Sequence, residues 1–277
     1  MKKAIAFILV ALFTMGGVFA QTPAWKSARH SIYWGVGANL SQTDICPSDG
    51  MFPCFKTING SLEFGYQYRM SERFMLRGNL LLSRLQGFDA DSDCDFTYPD
   101  GARRANFRTW VFDINAMVDF YLVKLKNITP ESTFGQKWGI YLTAGFGGAF
   151  YQPMHSIRNG EQNVWVHVRP LTSKGHYNTA TWTLPAGLGF KYQFNNKFSM
   201  GLEILQHICF TDWIDGMTSE PAGKPAAGVI GQMQSAAGTN LVGGDANDYY
   251  PTIMLNFTRT FTGCAVKHVS RPKYIDK

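Results

Sequence analysis

Charge is scarce in this chain of 277 residues: 17% are Asp, Glu, Lys or Arg, against 45% hydrophobic and 14% aromatic. So little charge beside so many aromatics suits a protein that turns much of its surface toward lipid. Long apolar runs are missing as well. Beyond residue 20 nothing approaches the ~18 consecutive apolar residues of a membrane helix, so any crossing has to be made by strands. No Cys-x-x-Cys pair occurs and the six His are scattered, which excludes the usual zinc spacings and leaves no metal or cofactor to assign. Positive charge is present, at a formal +6, but it is not spread out. Lys2 and Lys3 carry part of it, and Lys267, Arg271, Lys273 and Lys277 stand against Asp276 at the other end. Such a distribution argues against a nucleic-acid surface and for a local basic segment.

What is present begins with a leader. Met1-Lys2-Lys3 precedes an apolar run over 4–18, with small residues at Val18 and Ala20. This is the pattern of a secretory signal peptide over 1–20, cleaved to leave Gln21 first. No Cys follows the site, which argues against a lipid anchor. Residues 21–30 are then a periplasmic N-terminal segment, 31–261 one barrel domain and 262–277 a basic periplasmic tail.

The barrel is read from alternation. From Ile58, the even positions run Ile58, Gly60, Leu62, Phe64, Tyr66 and Tyr68; the odd ones run Asn59, Ser61, Glu63, Gly65, Gln67 and Arg69. Period two is useless to a helix and necessary to a two-faced strand. After a polar turn at Ser71-Glu72 the alternation resumes from Phe74, making a hairpin whose arms are long enough to cross a membrane at a tilt. The same reading predicts strands over 31–40, 58–69, 74–85, 106–122, 138–150, 182–192, 198–210 and 249–261. Pro185 predicts a bulge near the rim, because it donates no ladder bond. Connections alternate between long and short, with 151–180 taken as a long loop and Asn195-Asn196 as a tight turn.

The expectation is an all-β chain: an eight-stranded antiparallel transmembrane β-barrel in the outer membrane. Its loops are long and extracellular, its turns short and periplasmic, and both termini periplasmic. A soluble eight-stranded barrel of lipocalin type would put the apolar face inside, and alternation alone reads the same either way. Trp34, Trp110, Trp138 and Trp182, at or near strand ends on the apolar face, favour lipid outside.

With lipid outside, the polar face fills a narrow lumen. Glu63, Arg69, Arg77, Asp113, Asp119, Lys191, Glu203 and His207 then form a salt-bridged structural plug, since buried charges must be paired and eight strands leave room for little else. No catalytic residue is assigned: His155-Ser156 falls in a predicted loop without a partner, and His207 has no Ser–acid arrangement at a readable spacing. Of the five cysteines, Cys46 and Cys54 share one loop and form a possible disulfide, with Cys94 in the next loop an alternative partner for either; an odd count leaves at least one thiol over.

The second half of the chain carries more individual sequence. Gly145-Phe146-Gly147, Tyr151-Gln152-Pro153, Arg169 to Gly175 (RPLTSKG), Leu184 to Tyr192 (LPAGLGFKY), Gly201-Leu202-Glu203 and Phe210 to Asp215 (FTDWID) follow one another over residues 138–215. In order and spacing they resemble the PorG-like outer-membrane barrels of Bacteroidetes, the membrane component of the type IX protein secretion machinery. Family members more often have a longer acidic run where Gly216 follows Asp215 here. The resemblance implies a non-enzymatic role in protein transport, tying the periplasmic ring of the PorK lipoprotein and PorN to the outer membrane. The tail, with Cys264, Lys267, Arg271 and Lys273, is the expected contact, by salt-sensitive attraction to an acidic partner. The alternative is a small surface adhesion or binding barrel working through its long loops.

Overall fold

The computed structural model describes residues 28–43, 58–88, 106–125, 137–159, 162–167, 178–195, 197–211, 213–216 and 247–261. They form nine strands: β1 His30–Asn39, β2 Asn59–Arg69, β3 Phe74–Phe88, β4 Asn106–Tyr121, β5 Trp138–Asn159, β6 Gln162–His167, β7 Ala180–Gln193, β8 Phe198–Cys209 and β9 Tyr249–Phe261. Eight of them close a ring in the order β1-β2-β3-β4-β5-β7-β8-β9, every pair antiparallel, with β9 returning to β1. β6 stands outside the ring and pairs only with the far end of β5.

Partners in register trace the closure. From His30 they lead to Tyr68, Leu76, Val118, Ala144, Ala186, Gln206 and Pro251. Pro251 O accepts from Leu40 N at 3.1 Å, ten residues beyond the start. A climb of ten residues at ~3.3 Å each, around eight strands spaced ~4.8 Å, tilts the strands by about 40°. Each ladder keeps one register along its whole length. This corrects the bulge expected at Pro185. The β5–β7 ladder lacks only the pairs at Gly145 and Phe146, then resumes unshifted at Gly147↔Thr183. Phe210 N donates to Trp182 O, so Trp182 faces β8 and Pro185, of opposite parity, faces β5. The missing N–H therefore leaves a gap in the ladder and adds no residue.

Alternation sets the two faces. In β2, Leu62, Phe64 and Tyr66 are exposed while Ser61, Glu63, Gly65 and Gln67 are buried. The pattern holds around the ring, with Val36, Ile114, Leu142, Leu188, Leu202 and Ile253 outward. An apolar band this continuous would aggregate in water and is at home in hydrocarbon. Trp138, Trp110 and Trp182 lie toward strand ends; Trp34 is instead the fifth of the ten residues of β1 and packs edge-on to Phe257.

The short connections are held by side chains. Ser71 Oγ accepts from Arg73 N and Phe74 N at 3.2 and 3.0 Å, and Asn195 Oδ1 accepts from Lys197 N and Phe198 N at 2.9 Å each, the local bonds by which Ser and Asn favour turns. Lys124 Nζ meets Glu72 Oε2 at 2.6 Å, linking two neighbouring short connections. At the other end the region expected to be a loop over 151–180 is partly strand. β5 runs on to Asn159 and, with β6, raises a hairpin beyond the rim.

Candidate functional site

The lumen is where the buried polar groups converge, and among the described residues they lie in layers along it. Near the short-turn end, Arg77 of β3 reaches across the ring to Glu203 of β8: Nη1 donates to Oε2 at 2.7 Å and Nη2 to Oε1 at 2.8 Å. This is a bidentate fork, the strongest geometry for such a pair. Arg77 also lies 3.4 Å from Asp119 and 3.8 Å from Glu63. Arg77 Nη2 donates to Thr143 Oγ1 at 3.1 Å, and Thr143 in turn donates to Asp119 Oδ1 at 2.7 Å. Tyr141 OH donates to Glu203 Oε2 at 2.6 Å, and the guanidinium lies 5.5 Å from the Tyr33 ring. The two tyrosines fit because their direct cross-strand partners are Gly65 and Gly189. A Cβ at either glycine would come within 2.4 or 2.2 Å of the facing ring.

Of the eight charged or titratable lumen residues expected to associate, four form this cluster: Glu63, Arg77, Asp119 and Glu203. Lys191 is also buried but donates to Gln67 Oε1 at 2.9 Å. Arg69 lines a recess at the short-turn mouth with Lys191, Gln193 and Ser199. Asp113 and His207 form a second cluster higher up, with His207 Nδ1 3.2 Å from Asp113 Oδ2. Sequence reasoning missed two members of it. Tyr250 stacks on His207 at 4.5 Å between centroids and donates to Asp113, and Thr252 Oγ1 lies 3.4 Å from His207 Nε2. Both are β9 residues of inward parity, the one signal available for them.

Acid, imidazole and hydroxyl thus stand in the order used by nucleophilic hydrolases. They have no access to a substrate. Asp113, His207, Tyr250 and Thr252 are all fully buried. Above them Leu85, Phe107, Val111, Tyr151 and Cys209 form an apolar inner layer, and Ile214 drops into it. The chain after β8 folds inward to place that side chain. Thr109 Oγ1 donates to Ile214 O at 2.6 Å, Ile214 N donates to Asp248 Oδ2 at 2.8 Å, and His155 Nε2 lies 2.6 Å from Asp215 O. Gly216, at φ 79°, ends this inward segment in a conformation open to glycine. His155 is accordingly a buried strand residue holding a cap, where a loop was expected. Asn39, Ser61 and Ser83 add a buried relay of 2.8 Å bonds along β1, β2 and β3. Among the described residues no group of His, Cys, Asp or Glu is placed to hold a metal. Cys209 is a buried thiol without a disulfide partner; Cys46, Cys54, Cys94 and the tail residues Cys264, Lys267, Arg271 and Lys273 lie outside the described residues.

A closed ring with lipid-compatible walls and a polar packed interior defines an architecture, and the family follows from the sequence. The family model described as outer membrane protein beta-barrel domain matches residues 7–249. The chain belongs to that family. No curated protein matches the sequence of this outer-membrane barrel. Similar solved structures are Ail, the attachment invasion locus protein of Yersinia pestis, at 11% identity over 84% of this chain and 99% of that one, TM-score 0.41; OprG of Pseudomonas aeruginosa, at 10% identity over 85% and 98%, TM-score 0.34; and the outer membrane enzyme PagL, at 13% identity over 82% and 97%, TM-score 0.30.

Proposed function

We propose that this outer-membrane barrel is a non-enzymatic anchor that couples the periplasmic ring of a type IX protein secretion system, built of PorK-like and PorN-like proteins, to the outer membrane. The observation that carries a non-enzymatic role is the lumen: charge clusters fill its middle and Ile214 caps the long-loop end. Such an interior supports neither substrate entry nor an aqueous path, so function falls to the surfaces at the two ends. The link to type IX secretion rests on the resemblance over residues 138–215, whose FTDWID stretch supplies the cap. In this reading both termini and the short turns face the periplasm. The tail with Cys264, Lys267, Arg271 and Lys273, together with the connection over 124–137, meets the ring.

The test is co-purification. Deleting 264–277 or shortening 124–137 strips the ring proteins from solubilised outer membranes, while the barrel itself remains. Ring proteins retained at parental levels in both variants would overturn the proposal. A second reading, a surface-binding module, is favoured by the β5–β6 hairpin raised past the rim. It predicts that trimming 160–161 with its flanking strand ends abolishes surface binding and leaves secretion intact.

A further inference from the structure

The raised wall of β3, β4, β5 and β6 changes chemistry abruptly on its outer face. Leu82, Phe112 and Phe150 lie side by side as the last apolar row. The next row is Arg84, Trp110 and Gln152, and the one beyond is Gln86, Arg108, Met154 and His167. Both arginines are laid against tryptophans. The Arg84 guanidinium sits 6.0 Å from the Trp110 ring centre, and that of Arg108 sits 4.4 Å from Trp165 on β6. Attraction to an indole face within about 6 Å positions a guanidinium without consuming its N–H groups. Arg84 Nη2 donates only a long 3.4 Å bond to Gln86 Oε1, and neither arginine has a carboxylate partner among the described residues.

We propose that this wall docks the phosphorylated headgroup of a lipid in the leaflet at the long-loop end. Its position decides the source of the phosphate. The two cations begin one row beyond hydrocarbon-facing side chains, at the depth where a headgroup sits above its own acyl chains. The Phe112–Phe150 row supplies the surface for those chains. An oxygen-rich anion matches two guanidinium groups on diagonal positions of neighbouring strands, one row apart. The raised hairpin then has a role in the site, since Trp165 is contributed by β6, the strand that is not part of the ring.

The experiment uses the full mature chain in phosphatidylcholine nanodiscs without divalent cations, with either bis-phosphorylated lipid A or its dephosphorylated form added. Bound lipid is counted by native mass spectrometry. The parent retains the phosphorylated lipid preferentially, and the double variant R84Q/R108Q loses roughly thirtyfold in affinity, from about a factor of five for each basic residue at a membrane surface. Arg259, which lies 6.0 Å from the Phe198 ring at the opposite end, is the matched control, and R259Q leaves retention unchanged. Heat-modifiable migration establishes that each variant is folded; if the double variant fails to fold, R108Q alone is read, with about a fivefold loss expected. Equal retention of the two lipids, an equal loss in R259Q, or displacement by millimolar inorganic phosphate alone would each overturn the proposal.

Discussion

Replacing Arg77 by Met tests the lumen most directly. The guanidinium makes two short bonds to Glu203, one to Thr143, and stands 3.4 and 3.8 Å from Asp119 and Glu63. All of these side chains are shielded from solvent. Met fills most of the stem volume but leaves three carboxylates facing one another, because Lys191 is engaged with Gln67. Removing one member of a buried pair costs ~3–5 kcal/mol, so R77M loses about that much stability. E203Q is milder, at about 1–3 kcal/mol, since Arg77 keeps Asp119 and Glu63, while the amide offers one acceptor oxygen where the fork and Tyr141 used two. The double variant R77M/E203Q falls short of the sum by about 1–3 kcal/mol, as contacting residues do. Urea unfolding in lipid vesicles, followed by Trp fluorescence and by gel migration before and after heating, measures all three. An R77M variant within about 1 kcal/mol of the parent, or strict additivity of the pair, would refute the idea that this cluster holds the ring together.

Three further outcomes follow from other parts of the barrel. Ile214→Ala empties the cap and costs about 2–4 kcal/mol by urea unfolding, and Ile214→Asp, which buries a carboxylate against the apolar layer, costs more than Ile214→Ala in the same assay. Gly189→Ala drives a Cβ into Tyr141, so it costs about 1–3 kcal/mol; in the background of Tyr141→Phe, which removes the hydroxyl at 2.4 Å from that Cβ but keeps the ring carbon at 2.2 Å, the added loss is smaller and does not vanish. Ile204→Arg, on the apolar belt near the middle of β8, costs about 2–4 kcal/mol in vesicles and nothing comparable is seen for Arg at Phe261, beside the interface.

Strand positions were legible wherever alternation ran undisturbed, as in β2 and β4. Which face looks inward was not readable from alternation alone, since the pattern is symmetric under reversal of inside and outside; the tryptophans near strand ends pointed to lipid outside, and the apolar residues are indeed outward. The extension of β5 was missed because Pro153 and His155 look like loop residues. Tyr151 donates to Thr179 O on the β7 side, so Pro153, two residues on, faces the same way. There β7 has ended and β6 has not begun, and a proline costs no ladder bond. The lumen charges were named from parity, but their grouping was not readable. Arg77 and Glu203 are 126 residues apart, and whether Arg77 or Lys191 takes Glu203 depends on the stagger of the whole ring. The cap at Ile214 had no periodic signal at all, for it is one apolar side chain in an irregular segment.

The ring is completed by the two ends of the chain: β1 lies between β2 and β9, and Ser31 Oγ donates to Thr260 Oγ1 at 3.0 Å. Nothing upstream can substitute for that last piece. A product clipped before residue 249 would carry two raw edges, on β1 and on β8, each offering unpaired backbone and a greasy outer side to any neighbour. Pairing of the thirteen-residue β9 is therefore the step that removes both edges at once, and until it happens the two edges stay open to aggregation.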